Sequence, residues 1–235
     1  MGIHIKIGDN VSFEDAATLG VGLSTVGQAL YQSLALPFPP SKVLEPTSIL
    51  IYGASTATGT LAVQYAKLSG CEVIATASPR NFDLLRKLGA DQVFDYNEAD
   101  VGAKIRKATN NQLKLVFDCI SEHNSFDISA AALSSEGGHL TALLPVQNFP
   151  RDDVKIGFTY AYSALGENFT DKWLASQTDY DHGVKFWKVA EDLINSGKIK
   201  AHPVEVRRGL AGVPQGLQDL KDNKVSGVKL VYSVE

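Results

Sequence analysis

Short, almost uninterrupted apolar runs alternate along this chain with segments whose apolar residues recur every three or four positions. Ser48–Tyr52 (SILIY), 72–76 (EVIAT), 92–96 (QVFDY), 115–120 (LVFDCI) and 139–144 (HLTALL) have the first pattern, which is that of strands buried on both faces of a parallel sheet. Segments 59–69, 81–88, 98–109 and 124–134 have the second and read as helices. Gly70 closes the first of these; Asn81 stands as N-cap of the next, with Gly89 just past its end. Strict alternation of short strands with helices requires right-handed parallel crossovers, so the expected class is α/β, a doubly wound parallel sheet of the Rossmann kind.

The flanks are less regular. Residues 12–36 read as one helix, with Ser12 as N-cap and with Gly20, Gly22 and Gly27 marking interruption or close packing; a proline-rich loop follows, from Pro37 to Pro46. Beyond Pro145 the pattern predicts a strand at 156–163, a long helix at 181–196 ending at Gly197, a strand at 203–207, a helix at 213–222 and a last strand at 228–232. No internal repeat or low-complexity segment is visible.

Composition narrows the function classes. The 235 residues are 44% apolar and 20% charged, with a net charge of -4, so no general attraction to nucleic acid or to an anionic membrane is expected and any bound phosphate must be held locally. The start of the chain carries neither a basic leader with an apolar core nor an Arg-rich amphipathic stretch, which makes a cytoplasmic location the default expectation. Cys71 and Cys119 lie in apolar stretches, where a buried reduced thiol is ordinary.

The most informative segment is SILIYGASTATGTLAVQYAK. A strand exits through Gly53 into a turn and a helix starting near Gly59, and N–H groups at such a helix start lack intrahelical partners while the helix dipole favours negative charge. The spacing Gly53-x-x-Thr56-x-x-Gly59 departs from the common G-x-G-x-x-G fingerprint. Gly53 allows a sharp turn, Gly59 allows close approach, and Ser55, Thr56 and Thr58 add hydroxyl donors. An unliganded Ser/Thr-rich loop is the other reading of these residues; the position after the first strand of a βαβ unit favours a pyrophosphate site.

About twenty residues after the glycine turn, where an NAD enzyme needs an acid for the ribose 2′-hydroxyl, the second strand runs into Ala77-Ser78-Pro79-Arg80-Asn81. A carboxylate there would repel a 2′-phosphate, whereas Ser78, Arg80 and the Asn81 cap can donate to it. The expected cofactor is therefore NADPH, with a solvated basic turn as the alternative.

The run from Leu50 to Val101, with its LGAD turn (Leu88 to Asp91) and Asp95-Tyr96 strand end, resembles the zinc-independent medium-chain reductases. Within that group STAT in the glycine turn, SPRN after the second strand and FDYNEAD resemble the trans-acting enoyl reductases of fungal polyketide assembly, and the likeness extends from about Asp15 to the C-terminus. The resemblance implies that Ser55, Thr56, Ala57 and Thr58 meet the pyrophosphate and that Ser78, Pro79, Arg80 and Asn81 surround the 2′-phosphate. It places Tyr96 beside the adenine, Leu143 and Leu144 at the nicotinamide end, and Val228 and Lys229 closing the site. The stretch Gly20, Val21, Gly22, Leu23, Ser24, Thr25, Val26 and Gly27 matches the acyl-substrate channel. Leu143 and Leu144 read equally as strand core, and Lys229 as a solvated charge. Such chains often pair through the last strand of the nucleotide domain, so a homodimer through 156–163 is an expectation. The family's N-terminal GroES-like domain is expected here only as a remnant at 1–14, before a cofactor domain at 15–197 and a C-terminal segment at 198–235 that returns toward the cleft.

Other oxidoreductase classes fit poorly. None of the eight tyrosines has lysine four residues on, as a short-chain dehydrogenase requires. Two separated cysteines cannot supply a structural zinc site, and the five histidines show no ligand spacing, so no metal is expected. Three readings remain: an NADPH-dependent enoyl reductase acting on a polyketide thioester with a synthase or its acyl carrier domain as partner, a quinone or alkenal reductase, and a cofactor-binding partner protein with little turnover. No catalytic acid or base is identified.

Overall fold

The computed structural model describes residues 3–171 and 173–234. Six parallel strands form its centre: β1 (Ser48–Tyr52), β2 (Glu72–Ala77), β3 (Gln92–Asp95), β4 (Leu115–Asp118), β5 (Gly138–Ala142) and β6 (Val154–Phe158), in the order β3-β2-β1-β4-β5-β6. This order reverses direction between β1 and β4, the crevice where doubly wound sheets bind ligands. The expected α/β class is the observed one.

Period-two alternation along β1 builds both faces at once. Ile49 and Ile51 enter one core with Val73, Ala75 and Phe117, covered by α2 (Gly20–Val26), α3 (Ala57–Leu68) and α7 (Gln177–Asn195). Leu50 and Tyr52 enter the other with Ile74, Val116 and Leu140, covered by α5 (Val101–Ala108) and α6 (Ser125–Ala132). Each fully buried aliphatic side chain contributes about 1.5–3 kcal/mol.

The single helix expected at 12–36 is three pieces. Ser12 does cap α1 (Phe13–Ala16), accepting from the Asp15 N–H at 3.0 Å. Thr18 then donates its hydroxyl to the Asp15 carbonyl at 2.7 Å while the Thr18 and Leu19 N–H groups make tight i→i+3 bonds, a local alternative that ends the helix. After α2 the chain widens into a π-helical stretch, Gly27–Ser33. A Cβ at Gly27 would lie 2.6 Å from Phe186 of α7, so the helix yields where that ring packs.

Boundaries shift elsewhere for similar reasons. Register with β5 sets β6 at Val154–Phe158 rather than 156–163, and the chain then turns into a 3-10 segment, Ala161–Leu165. Helix α7 begins at Gln177, four residues before the predicted start, because Ser176 caps it by accepting from the Asp179 N–H at 3.1 Å. Asn81 does not cap as expected: a 3-10 turn, Pro79–Asn81, leads into α4 (Phe82–Lys87) with no side-chain cap bond, and the Asn81 amide is used elsewhere.

The C-terminal residues do not join the six-stranded sheet. β7 (Val204–Arg208), α8 (Val213–Lys221) and β8 (Lys229–Ser233) form a small β-α-β unit with its own parallel pair. It is latched to α3: Gln64 and Lys200 exchange two hydrogen bonds of 3.0 and 2.7 Å, and the Thr60 hydroxyl lies 2.9 Å from His202 Nδ1. Burial, followed by the charge of Lys229, lowers His202 to about 4. A base whose folded value is depressed stabilises above its unfolded value and loses that contribution as pH falls. Thermal unfolding of the wild type should therefore lose about 2 kcal/mol between about pH 6.5 and about pH 4, and His202→Gln should flatten that window; an unchanged slope in the variant would exclude His202 as the titrating latch.

Candidate functional site

The site begins where β1 ends. Gly53 turns the chain at φ +70°, and a Cβ on it would lie 2.5 Å from Ile120 Cγ1. Its N–H donates to Thr76 Oγ1 at 3.0 Å and the Ala54 N–H donates to the Thr76 carbonyl at 2.9 Å, so β2 braces the turn. Thr56 then caps α3, its hydroxyl oxygen accepting from the Gly59 N–H at 3.0 Å. The helix consequently starts at Ala57, two residues before the predicted start. Ala57 and Thr58 occupy its first turn, where backbone N–H groups have no intrahelical acceptor. Gly59 is packed so closely that a Cβ would lie 2.5 Å from the Gly53 carbonyl oxygen.

A cavity of about 390 Å³ opens in front of this turn. The structure brings Gly53, Ser55, Thr56, Ser78, Arg80, Asn81 and Tyr96 together in its wall. Ser78 Oγ and Tyr96 OH are 3.1 Å apart across the tips of β2 and β3. No ion pair among the described residues uses Arg80, which is exposed at the rim. The carboxylate in the wall is Glu122, from the loop after β4 and not from the β2 tip.

The other predicted residues are not in the wall of this cavity. Pro79 is exposed beside Arg80. Leu143 and Leu144 follow the end of β5 instead of belonging to it; Leu143 packs against the core and Leu144 is 45% exposed. Val228 precedes β8, and Lys229 reaches the Thr18 carbonyl at 3.5 Å. Of the Gly20 to Gly27 stretch, Leu23 and Val26 are core, Ser24 accepts from the Trp187 indole at 3.1 Å, and Thr25 bonds back to the Val21 carbonyl at 2.8 Å. Gly22 packs against Leu61, close to Ala57 and Thr58, while Gly20 and Val21 face outward. This stretch therefore supports the glycine turn from behind and presents only its first residues to solvent.

Sequence reasoning missed two parts of the wall. One is the loop after β4, including Ile120, Glu122, His123 and Asn124; the rule that ligands sit at the strand-order reversal would have pointed to it. The other is Asn223, Val225 and Ser226, for which no local signal exists. Beneath the cavity Asp118 is fully buried, Oδ1 accepting from the Ile120 and Ser121 N–H groups at 2.9 Å each. Burial pushes its carboxyl up, and the Ser125 hydroxyl and the two backbone hydrogen bonds oppose this only in part. Tyr52, beside it, is pushed up to about 12 by burial and by the Asp118 charge. Among the described residues no group of three His, Cys, Asp or Glu is placed to hold a metal ion.

Comparison with known proteins places this geometry in a family. The zinc-binding dehydrogenase family model matches residues 57–143, from the first turn of α3 to the residue just past β5. Trans-enoyl reductase ACTTS2 of Alternaria alternata is 60% identical over 234 residues, covering 99% of this chain and 68% of that protein. The chain belongs to the trans-enoyl reductases. Trans-enoyl reductase TOXD of Cochliobolus carbonum is 52% identical over 175 residues, covering 74% of this chain and 59% of that protein. The crystal structure of CurK enoyl reductase shares the fold, with a TM-score of 0.77 at 20% identity over 97% of this chain and 65% of that one. The present trans-enoyl reductase chain thus spans about two thirds of ACTTS2 and less of TOXD and CurK. Trans-enoyl reductases are oxidoreductases, and enzymes of this kind are generally nicotinamide-dependent.

Two substitutions test the turn of this trans-enoyl reductase. Thr56→Ala should cost about 1 kcal/mol through the lost cap, and Gly59→Ala about 1–3 kcal/mol through overpacking against Gly53, both read from denaturant midpoints. Stability of Gly59→Ala equal to wild type would contradict the close approach described.

Proposed function

We propose that this chain is an NADPH-dependent enoyl reductase acting in trans on a polyketide enoyl thioester, with a polyketide synthase or its acyl carrier domain as partner. The observation that carries the cofactor reading is the Arg80 guanidinium at the β2 tip, which no ion pair among the described residues uses, in the same cavity wall as Ser78 and as Ser55 and Thr56 of the turn that leads into α3. That combination fits a dinucleotide with a 2′-phosphate: the backbone around Ser55, Thr56, Ala57 and Thr58 would hold the pyrophosphate, and Ser78, Pro79, Arg80 and Asn81 the extra phosphate. Tyr96 would border the adenine, Leu143 and Leu144 the nicotinamide end, and Val228 and Lys229 the C-terminal side.

Bound NADPH would supply hydride to the β-carbon of the alkene, leaving an enolate that is protonated at the α-carbon. The chain's own contribution is orientation and exclusion of water. Of the stretch Gly20 to Gly27, the exposed Gly20 and Val21 at the start of α2 would border the acyl chain, with the buried residues behind them as support. The sequence likeness to trans-enoyl reductases supports the enoyl thioester over other acceptors.

Arg80→Ala should weaken NADPH binding about tenfold or more while leaving NADH nearly unchanged, as loss of a charge-assisted bond predicts; equal losses in titration calorimetry would show that Arg80 does not read the 2′-phosphate. NADPH oxidation monitored at its absorbance band should occur with an enoyl thioester. Oxidation with a simple quinone alone would favour a quinone or alkenal reductase, and oxidation with neither would favour a cofactor-binding protein.

A further inference from the structure

The cavity wall facing the β2 tip comes from residues more than a hundred positions away. Ser226 and Asn223 line it together with Ser78, Arg80 and Asn81. Asn81, whose amide was expected to cap α4 or to meet a phosphate directly, is buried and donates from Nδ2 to Ser226 Oγ at 3.2 Å. Gly227 makes this contact possible. Its φ is +68°, and a Cβ there would lie 2.6 Å from Asn81 Oδ1, so the C-terminal segment seats directly on the Asn81 side chain.

A serine hydroxyl has one proton to donate and two lone pairs. With Asn81 donating into one lone pair, the Ser226 proton is directed away from Asn81, and polarisation along the chain strengthens it as a donor. Ser226 also lines the cavity that Arg80 and Ser78 line.

We propose that Ser226, held by Asn81 across the Gly227 bend, is a specificity-determining residue that reads the ribose 2′-phosphate of the cofactor from the C-terminal segment. The inference rests on the NADPH reading and adds to it a relay: Asn81 acts through Ser226, and the phosphate is gripped from both the β2 tip and the segment before β8. A ribose 2′-hydroxyl offers the same donor a neutral acceptor, so the contact favours the phosphorylated form as charge-assisted bonds exceed neutral ones.

Titration calorimetry on the full chain with adenosine 2′,5′-bisphosphate and with 5′-AMP isolates this end of the cofactor, since the two probes differ only in the 2′-phosphate. Ser226→Ala should weaken the bisphosphate about tenfold and 5′-AMP by less than about twofold. Ser226→Thr, which keeps the hydroxyl, should restore most of the loss, and Ser226→Asp should invert the preference by repelling the phosphate. If Ser226→Ala does not fold, the Thr and Asp variants carry the comparison, because a purely structural serine would change both affinities in parallel. An unchanged ratio of the two affinities in the Ala and Asp variants overturns the proposal. Arg80→Ala measured alongside separates the failures: a shifted ratio there with none at Ser226 removes only the Ser226 relay, whereas no shift at either position removes the NADPH reading with it.

Discussion

The structure depends on the approach of α3 to the exit of β1. With no side chain at Gly59, the first turn of the helix seats on the Gly53 carbonyl and Ala54, and this brings unpaired N–H donors to the edge of the sheet instead of a side-chain diameter away. Thr76 holds the other side of the turn by bonding both Gly53 and Ala54. A turn braced this way is rigid before any anion arrives, so little ordering entropy remains for binding to overcome.

A second constraint propagates from Asp118. Its Oδ1 gathers the Ile120 and Ser121 N–H groups, and the Ser121 hydroxyl in turn accepts from the Leu143 N–H at 2.8 Å. The loop after β4, at the strand-order reversal, and the neighbouring loop after β5 are thereby tied to one buried carboxyl.

The C-terminal β-α-β unit supplies the third element. Hydrogen bonds from Gln64 and Thr60 dock it on the same helix whose N-terminus forms the glycine turn, so the wall at Asn223 to Ser226 and the donors at Ala57 and Thr58 are positioned by one rigid rod. Neutral His202 is part of that docking, and its depressed basicity follows from its being enclosed between the two.

Residue order alone was enough for the alternation of strands and helices, the βαβ turn at Gly53 to Gly59 and the acid-free tip at Ser78 to Asn81, because each is written in neighbouring positions: period, turn chemistry and charge within a few residues. Parallel pairing then carries the β1 turn and the β2 and β3 tips to one edge without further information, which is why Ser55, Thr56, Ser78, Arg80 and Tyr96 meet in one cavity. The helix expected at 12–36 broke because Thr18 found a local partner and Gly27 met Phe186 from 159 positions away. Only folding could pair Asn81 with Ser226, or place the loop after β4 opposite the glycine turn: these contacts join segments whose separation along the chain leaves no periodicity, spacing or composition to record them.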